Sequence, residues 1–182
     1  MTVLLVFSVY SISNNKKTLT IGLLLAIPTL ITSWLPHFIE TQLGATINIF
    51  TNIIFIGFII FCLFKIVFTT KEVTSDIIAG SICIYLLLGF LWGFIYVLCD
   101  LLQPNSFSLD IFNESTQYDY FYFSFITLTS LGYGDVIPSN SISQTFSMME
   151  ALAGQIYMTV MVAWLVGVYI SQNTSNRSDH QP

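Results

Sequence analysis

The chain has 182 residues, 54% of them hydrophobic and only 8% charged, with a mean hydropathy of +0.77. A soluble domain carries about 25% charged residues, and a small protein has too much surface to hide that deficit in a core, so lipid is the solvent for most of the chain. The net charge of −5 reflects a shortage of bases, and five Lys and Arg residues are too few to neutralise a phosphate backbone, which argues against nucleic-acid binding.

A helix that crosses a membrane needs about 20 largely apolar residues. In chain order, residues 1–12 are apolar but too short to cross alone, while residues 18–35, 45–69, 77–102 and 141–170 are long enough. The pattern predicts an all-α integral membrane protein with about five spans. Between the last two spans, residues 103–140 begin polar (Pro104, Asn105, Asp110, Asn113, Glu114), turn aromatic over residues 118–125, and end rich in glycine. The polar tail, residues 171–182, is expected to be disordered in the cytoplasm.

Sidedness follows from the bases. If the last span ends in the cytoplasm, Lys16, Lys17, Lys65, Lys71 and Arg177 all lie on that side, and the opposite orientation violates the positive-inside rule at every one. This topology starts residue 1 outside, beside a short span. The expectation is a truncated first span preceded by a further helix, the alternative being a half-helix lying against the bundle. Residues 1–12 have no basic n-region, which argues against a cleaved signal peptide. Cys62, Cys83 and Cys99 sit in apolar runs and read as buried free thiols. No catalytic constellation, phosphate loop or metal-ligand spacing occurs, so an enzyme is not expected.

The informative stretch is Thr127-Leu128-Thr129-Ser130-Leu131-Gly132-Tyr133-Gly134-Asp135. Non-helical backbone is tolerated at membrane depth only where it is buried in protein or lines a water-filled path. Glycines flanking one residue permit an alternation of dihedrals that aims successive carbonyls to one side. Four such strands around an axis stack rings of oxygens that replace the water shell of a potassium ion. One strand cannot surround an ion, so with one such segment per chain four chains are needed.

Residues 130–135 resemble the filter of potassium channels, usually Thr-Val-Gly-Tyr-Gly-Asp, and residues 121–138 resemble the pore region of bacterial voltage-sensorless channels of the two-helix-pore ion channel family. The resemblance covers residues 73–170. It implies a pore domain there, with outer helix 77–102, re-entrant pore helix 118–130, filter, and inner helix 141–170, preceded by N-terminal membrane helices over residues 1–72. It implies a homotetramer in a lipid bilayer that conducts potassium through Ser130, Leu131, Gly132, Tyr133 and Gly134, and the low content of charged residues and lack of a targeting signal suit a bacterial inner membrane. Potassium would bind at Ser130, Leu131, Gly132 and Tyr133, and no cofactor beyond the permeant ion is implied.

Filter support is expected from Thr129, Asp135, Tyr122 and Phe123, and a bending glycine at Gly154, with Gly167 a second candidate. The other reading of Gly154 is close helix packing. Two departures, Ser130 for Thr and Leu131 for Val, bear on the degree of selectivity rather than on the ion class. In several relatives a carboxylate sits on the pore helix behind the filter, where this chain has Ile126. Thr116 and Asp119 read as a helix start, and Asp110, Glu114, Asp119 and Asp135 as an acidic outer rim.

Along the inner helix, Gln155, Met158 and Val162 share a stripe that would face the cavity. Glu150, the one charge well inside that span, is expected to contact the pore helix or a neighbouring subunit. The spans before the pore lack a ladder of bases, so intrinsic voltage dependence is expected to be weak. Competing readings are a weakly selective cation channel, a transporter, which would show repeats and broken helices in both halves, and a non-conducting scaffold.

Overall fold

The computed structural model describes residues 42–70, 72–108 and 117–178. The spans expected at 1–12 and 18–35 lie outside the described residues, as do Asp110, Glu114 and Thr116. The described elements are α1 (Gln42–Thr69), α2 (Ser75–Leu102), β1 (Phe107–Ser108), α3 (Gln117–Leu128), β2 (Ile137–Pro138) and α4 (Ser141–Ser178). Among the described residues three helices, α1, α2 and α4, are long and apolar enough to cross a membrane.

Helix ends follow local chemistry. Helix α2 begins after an extended Thr74, with Asp76 in its first turn, where a negative charge offsets the helix dipole. Helix α4 is capped by Asn140, whose Oδ1 accepts from the Ser143 amide at 2.8 Å, while the Ser143 hydroxyl accepts from the Asn140 amide at 3.3 Å. That exchange satisfies donors that a helix start leaves orphaned. At its other end α4 runs on through Ser178, so the unstructured tail expected from residue 171 is corrected over 171–178. No Gly or Pro interrupts that stretch, and a helix already nucleated in the membrane propagates at little cost.

The packing stripe of α1 is Ile56, Ile59, Ile60, Leu63 and Val67, spaced three or four apart, and it joins Ile77 and Ile84 of α2 and Met161 of α4 in one core. A second core gathers Tyr96 and Val97 of α2, Phe107 of β1, Tyr120, Phe123 and Ile126 of α3, and Val136. Between helices in lipid there is little hydrophobic driving force, so van der Waals fit and interhelical hydrogen bonds decide. The cysteines are less enclosed than expected: Cys83 is exposed, and Cys62 and Cys99 are half-buried.

Strands β1 and β2 pair antiparallel, Phe107 against Pro138 and Ser108 against Ile137. The chain therefore leaves one end of the bundle before α3 and returns to the same end after it. Ser106 locks this junction: it accepts the Ser139 amide at 2.8 Å and the Ser143 hydroxyl at 2.8 Å on its carbonyl, and the Asn140 side-chain amide at 2.8 Å on its hydroxyl.

Candidate functional site

Helix α3 lies between α2 and α4 and delivers the chain to residues 129–136. Two glycines let it come close to α2. A β-carbon at Gly89 would lie 2.5 Å from the Phe125 ring, and one at Gly93 would lie 2.2 Å from the Phe121 ring. Phe90 packs edge-on against both rings, at 5.7 Å from Phe121 and 5.3 Å from Phe125. The aromatic run thus turns inward on this side. Gly89 and Gly93 passed unremarked in the sequence, although two glycines four apart on an apolar helix are a close-packing signal.

The end of α3 is pinned from both neighbours. The Tyr85 hydroxyl of α2 donates to the Leu128 carbonyl at 3.1 Å. Gly154 of α4 is buried against the same carbonyl, and a β-carbon there would lie 2.2 Å from the Leu128 oxygen. The close approach fits the packing reading of this glycine, and α4 is helical through it.

Beyond Leu128 the backbone folds over the helix end. The amides of Leu131 and Gly132 both donate to the Ile126 carbonyl, at 2.8 and 3.1 Å. Ser130, Gly132 and Gly134 take φ of 58°, 54° and 76°, so positive φ recurs at every second residue. Glycine accepts this region freely, whereas serine does so at a cost. Leu131 and Tyr133, the alternate residues, are 55% and 67% exposed, and all of 129–134 is exposed on the single chain.

Hydrogen bonds hold both ends of this segment. At the start, Thr129 Oγ1 donates to the Phe125 carbonyl at 2.7 Å, and the Gln155 side-chain amide of α4 donates to Ser130 Oγ at 2.7 Å. At the finish, the Tyr122 hydroxyl donates to Asp135 Oδ2 at 2.5 Å, while Asp135 Oδ1 accepts the Val136 amide at 3.0 Å. Of the expected support residues, Thr129, Tyr122 and Asp135 meet the segment directly. Phe123 packs away from it, against Tyr96 and Phe107 at 5.1 and 5.3 Å, and so holds α3 to α2. Asp119 is 2% exposed, which removes it from the expected acidic rim.

Glu150 is fully buried on α4 and contacts α3, as expected of a lone intramembrane acid. Its Oε1 lies 2.5 Å from Ser124 Oγ, and its Oε2 accepts from the Tyr96 hydroxyl. Ser124 Oγ also lies 2.7 Å from the Gly89 carbonyl. Gln155 reaches Ser130, while Met158 and Val162, 48% and 53% exposed, stay on the uncovered side of α4.

Residues 82–171 match the family model described as ion channel, a two-helix-pore domain, and the matched range runs from α2 through α3 and residues 129–136 into α4. No curated protein and no solved structure matches the chain. With three apolar helices long enough to cross a membrane, the match supports an ion channel subunit integral to the membrane.

Proposed function

We propose that the chain is one subunit of a homotetrameric potassium-selective channel, with Ser130, Leu131, Gly132, Tyr133 and Gly134 as its filter and α3 as its re-entrant pore helix. The observation that carries this reading is the recurrence of positive φ at Ser130, Gly132 and Gly134. Alternation of this kind turns successive carbonyls toward one side of the strand, and rings of such carbonyls coordinate a dehydrated potassium ion. Potassium would be held at Ser130, Leu131, Gly132 and Tyr133.

Exposure supports the tetramer. Residues 129–134 are non-helical and uncovered on the single chain, yet backbone of that kind does not face lipid. Copies of the chain around a central axis would cover it and leave a water path. Leu152, Ile156 and Val160 of α4 are likewise 55%, 60% and 49% exposed, an apolar face suited to lipid and to neighbouring subunits. The bases assign the residue 170 end of α4 to the cytoplasm, and a bacterial inner membrane fits the resemblance.

The test is potassium flux through the purified chain in liposomes, with sodium for comparison and barium as blocker. Barium-sensitive flux that strongly favours potassium supports the reading. Equal potassium and sodium flux leaves a weakly selective cation channel, with Ser130 and Leu131 as the first residues to examine. Transport that saturates and couples to a second solute would overturn the channel in favour of a transporter.

A further inference from the structure

Glu150 stands at the meeting of three helices, with Tyr96 of α2 and Ser124 of α3, and all three side chains are fully buried. Three oxygen–oxygen contacts link them to each other and to the Gly89 carbonyl: Tyr96 to Glu150, Ser124 to Glu150 at 2.5 Å, and Ser124 to Gly89 at 2.7 Å. Each contact requires one proton. A tyrosine hydroxyl carries one, a serine hydroxyl carries one, and a carbonyl carries none. An ionised Glu150 supplies none either, which leaves two protons for three contacts. Ser124 would then face two acceptors with a single hydrogen, and one pair of buried oxygens would confront each other lone pair to lone pair.

A proton on Glu150 Oε1 completes the set. Glu150 then donates to Ser124 Oγ, Ser124 donates to the Gly89 carbonyl, and Tyr96 donates to Glu150 Oε2. Every buried polar atom is satisfied, as a low-dielectric site demands. Among the described residues no counter-charge is offered: the groups that face Glu150 there are Tyr96 and Tyr85 from α2 and Ser124 from α3, and it forms no contact there with Lys, Arg or His. An isolated buried carboxylate is costly, and it neutralises rather than remaining charged.

We propose that Glu150 is a neutral carboxylic acid whose proton is the structural link joining α4 through α3 to α2, and that it is a positioning residue for the segment α3 carries. Its effect on conduction rests on the channel reading above, whereas its protonation does not. Glutamine is the discriminating substitution, because its amide N–H replaces the acid proton toward Ser124 and its carbonyl still accepts from Tyr96.

The experiment uses the full chain in lipid at neutral pH. Infrared spectra are expected to contain the carbonyl stretch of a protonated, hydrogen-bonded carboxylic acid that disappears in Glu150→Gln. That variant is expected to keep the wild-type melting temperature and flux within about twofold, since each hydrogen bond is replaced in kind. Glu150→Ala, which orphans Ser124 and Tyr96, is expected to lower both sharply. Absence of the acid band from the wild type, or a Glu150→Gln variant as damaged as Glu150→Ala, overturns the proposal. A wild type that shows the band but passes no ions sinks the channel reading and leaves the protonation standing.

Discussion

The side-chain amide of Gln155 on α4 donates to the hydroxyl of Ser130 across 2.7 Å. Ser130 is a non-glycine residue at φ 58°, a region that favours glycine, and it lacks the methyl that would restrict a threonine side chain. The hydrogen bond supplies from α4 the restraint that the side chain does not have. Replacing Gln155 by Leu removes the donor at similar size. One hydrogen bond is worth about 1 kcal/mol, so a several-fold fall in potassium-over-sodium permeability is expected, read as a shift in reversal potential under opposed gradients. Ser130→Thr in the Gln155→Leu background should recover part of it. An unchanged reversal potential in Gln155→Leu would remove the pair from selectivity.

Tyr122 and Asp135 close the other end of the same segment at 2.5 Å. Residues 131–134 lie between these two restraints. Tyr122→Phe deletes the hydroxyl and leaves the ring in place, so the fold should melt unchanged while the conducting state becomes shorter-lived. Asp135→Asn retains an oxygen that can accept from Tyr122, and its effect should be milder. Single-channel open times measure both. The reverse ranking, with Asp135→Asn worse than Tyr122→Phe, would assign Asp135 a role in charge rather than in this bond.

Gly134 separates conformation from space. Its φ is 76°, and nothing within 4 Å of an added β-carbon obstructs it on the single chain. Gly134→Ala therefore meets backbone strain of about 1–2 kcal/mol per chain rather than a clash. Helix content by circular dichroism and yield from membranes should match the wild type, and barium-sensitive flux should be lost. Wild-type flux from this variant would show that the alternation of φ is not what conducts.

The residue pattern revealed the elements better than their contacts. Apolar length located α1, α2 and α4 with starts within about three residues, because burial in lipid is the dominant demand on those segments. Gly132 and Gly134 were legible because few residues other than glycine tolerate their φ. Glu150 was legible as an anomaly, a lone acid in an apolar helix, but not its partners: Tyr96 is 54 positions away and Ser124 is 26, and no periodicity encodes which helix faces which. The lock at Ser106 was invisible for the same reason, since a serine in a polar loop looks like any other. Asp119 misled because it follows a polar stretch and opens α3, yet the fold buries it.

Gly154 is the converse of Gly134, with an ordinary helical backbone and no space. An added β-carbon would lie 2.2 Å from the Leu128 oxygen and 3.1 Å from its carbonyl carbon. The obstacle is main chain, so no side-chain rotation relieves it, and α3 must retreat from α4 or α4 must bow outward. Either shift would also disturb the setting of the 3.1 Å bond from Tyr85 to that same oxygen. Overpacking of this kind costs about 1–3 kcal/mol, so Gly154→Ala should lower the melting temperature in detergent and reduce flux together. Gly167→Ala is the control: nothing lies within 4 Å of its position on the single chain, and alanine favours the helix by about 1 kcal/mol, so its melting temperature should hold or rise. A Gly154→Ala variant that melts like the wild type and changes only the fraction of time the channel is open would instead make Gly154 a bending point.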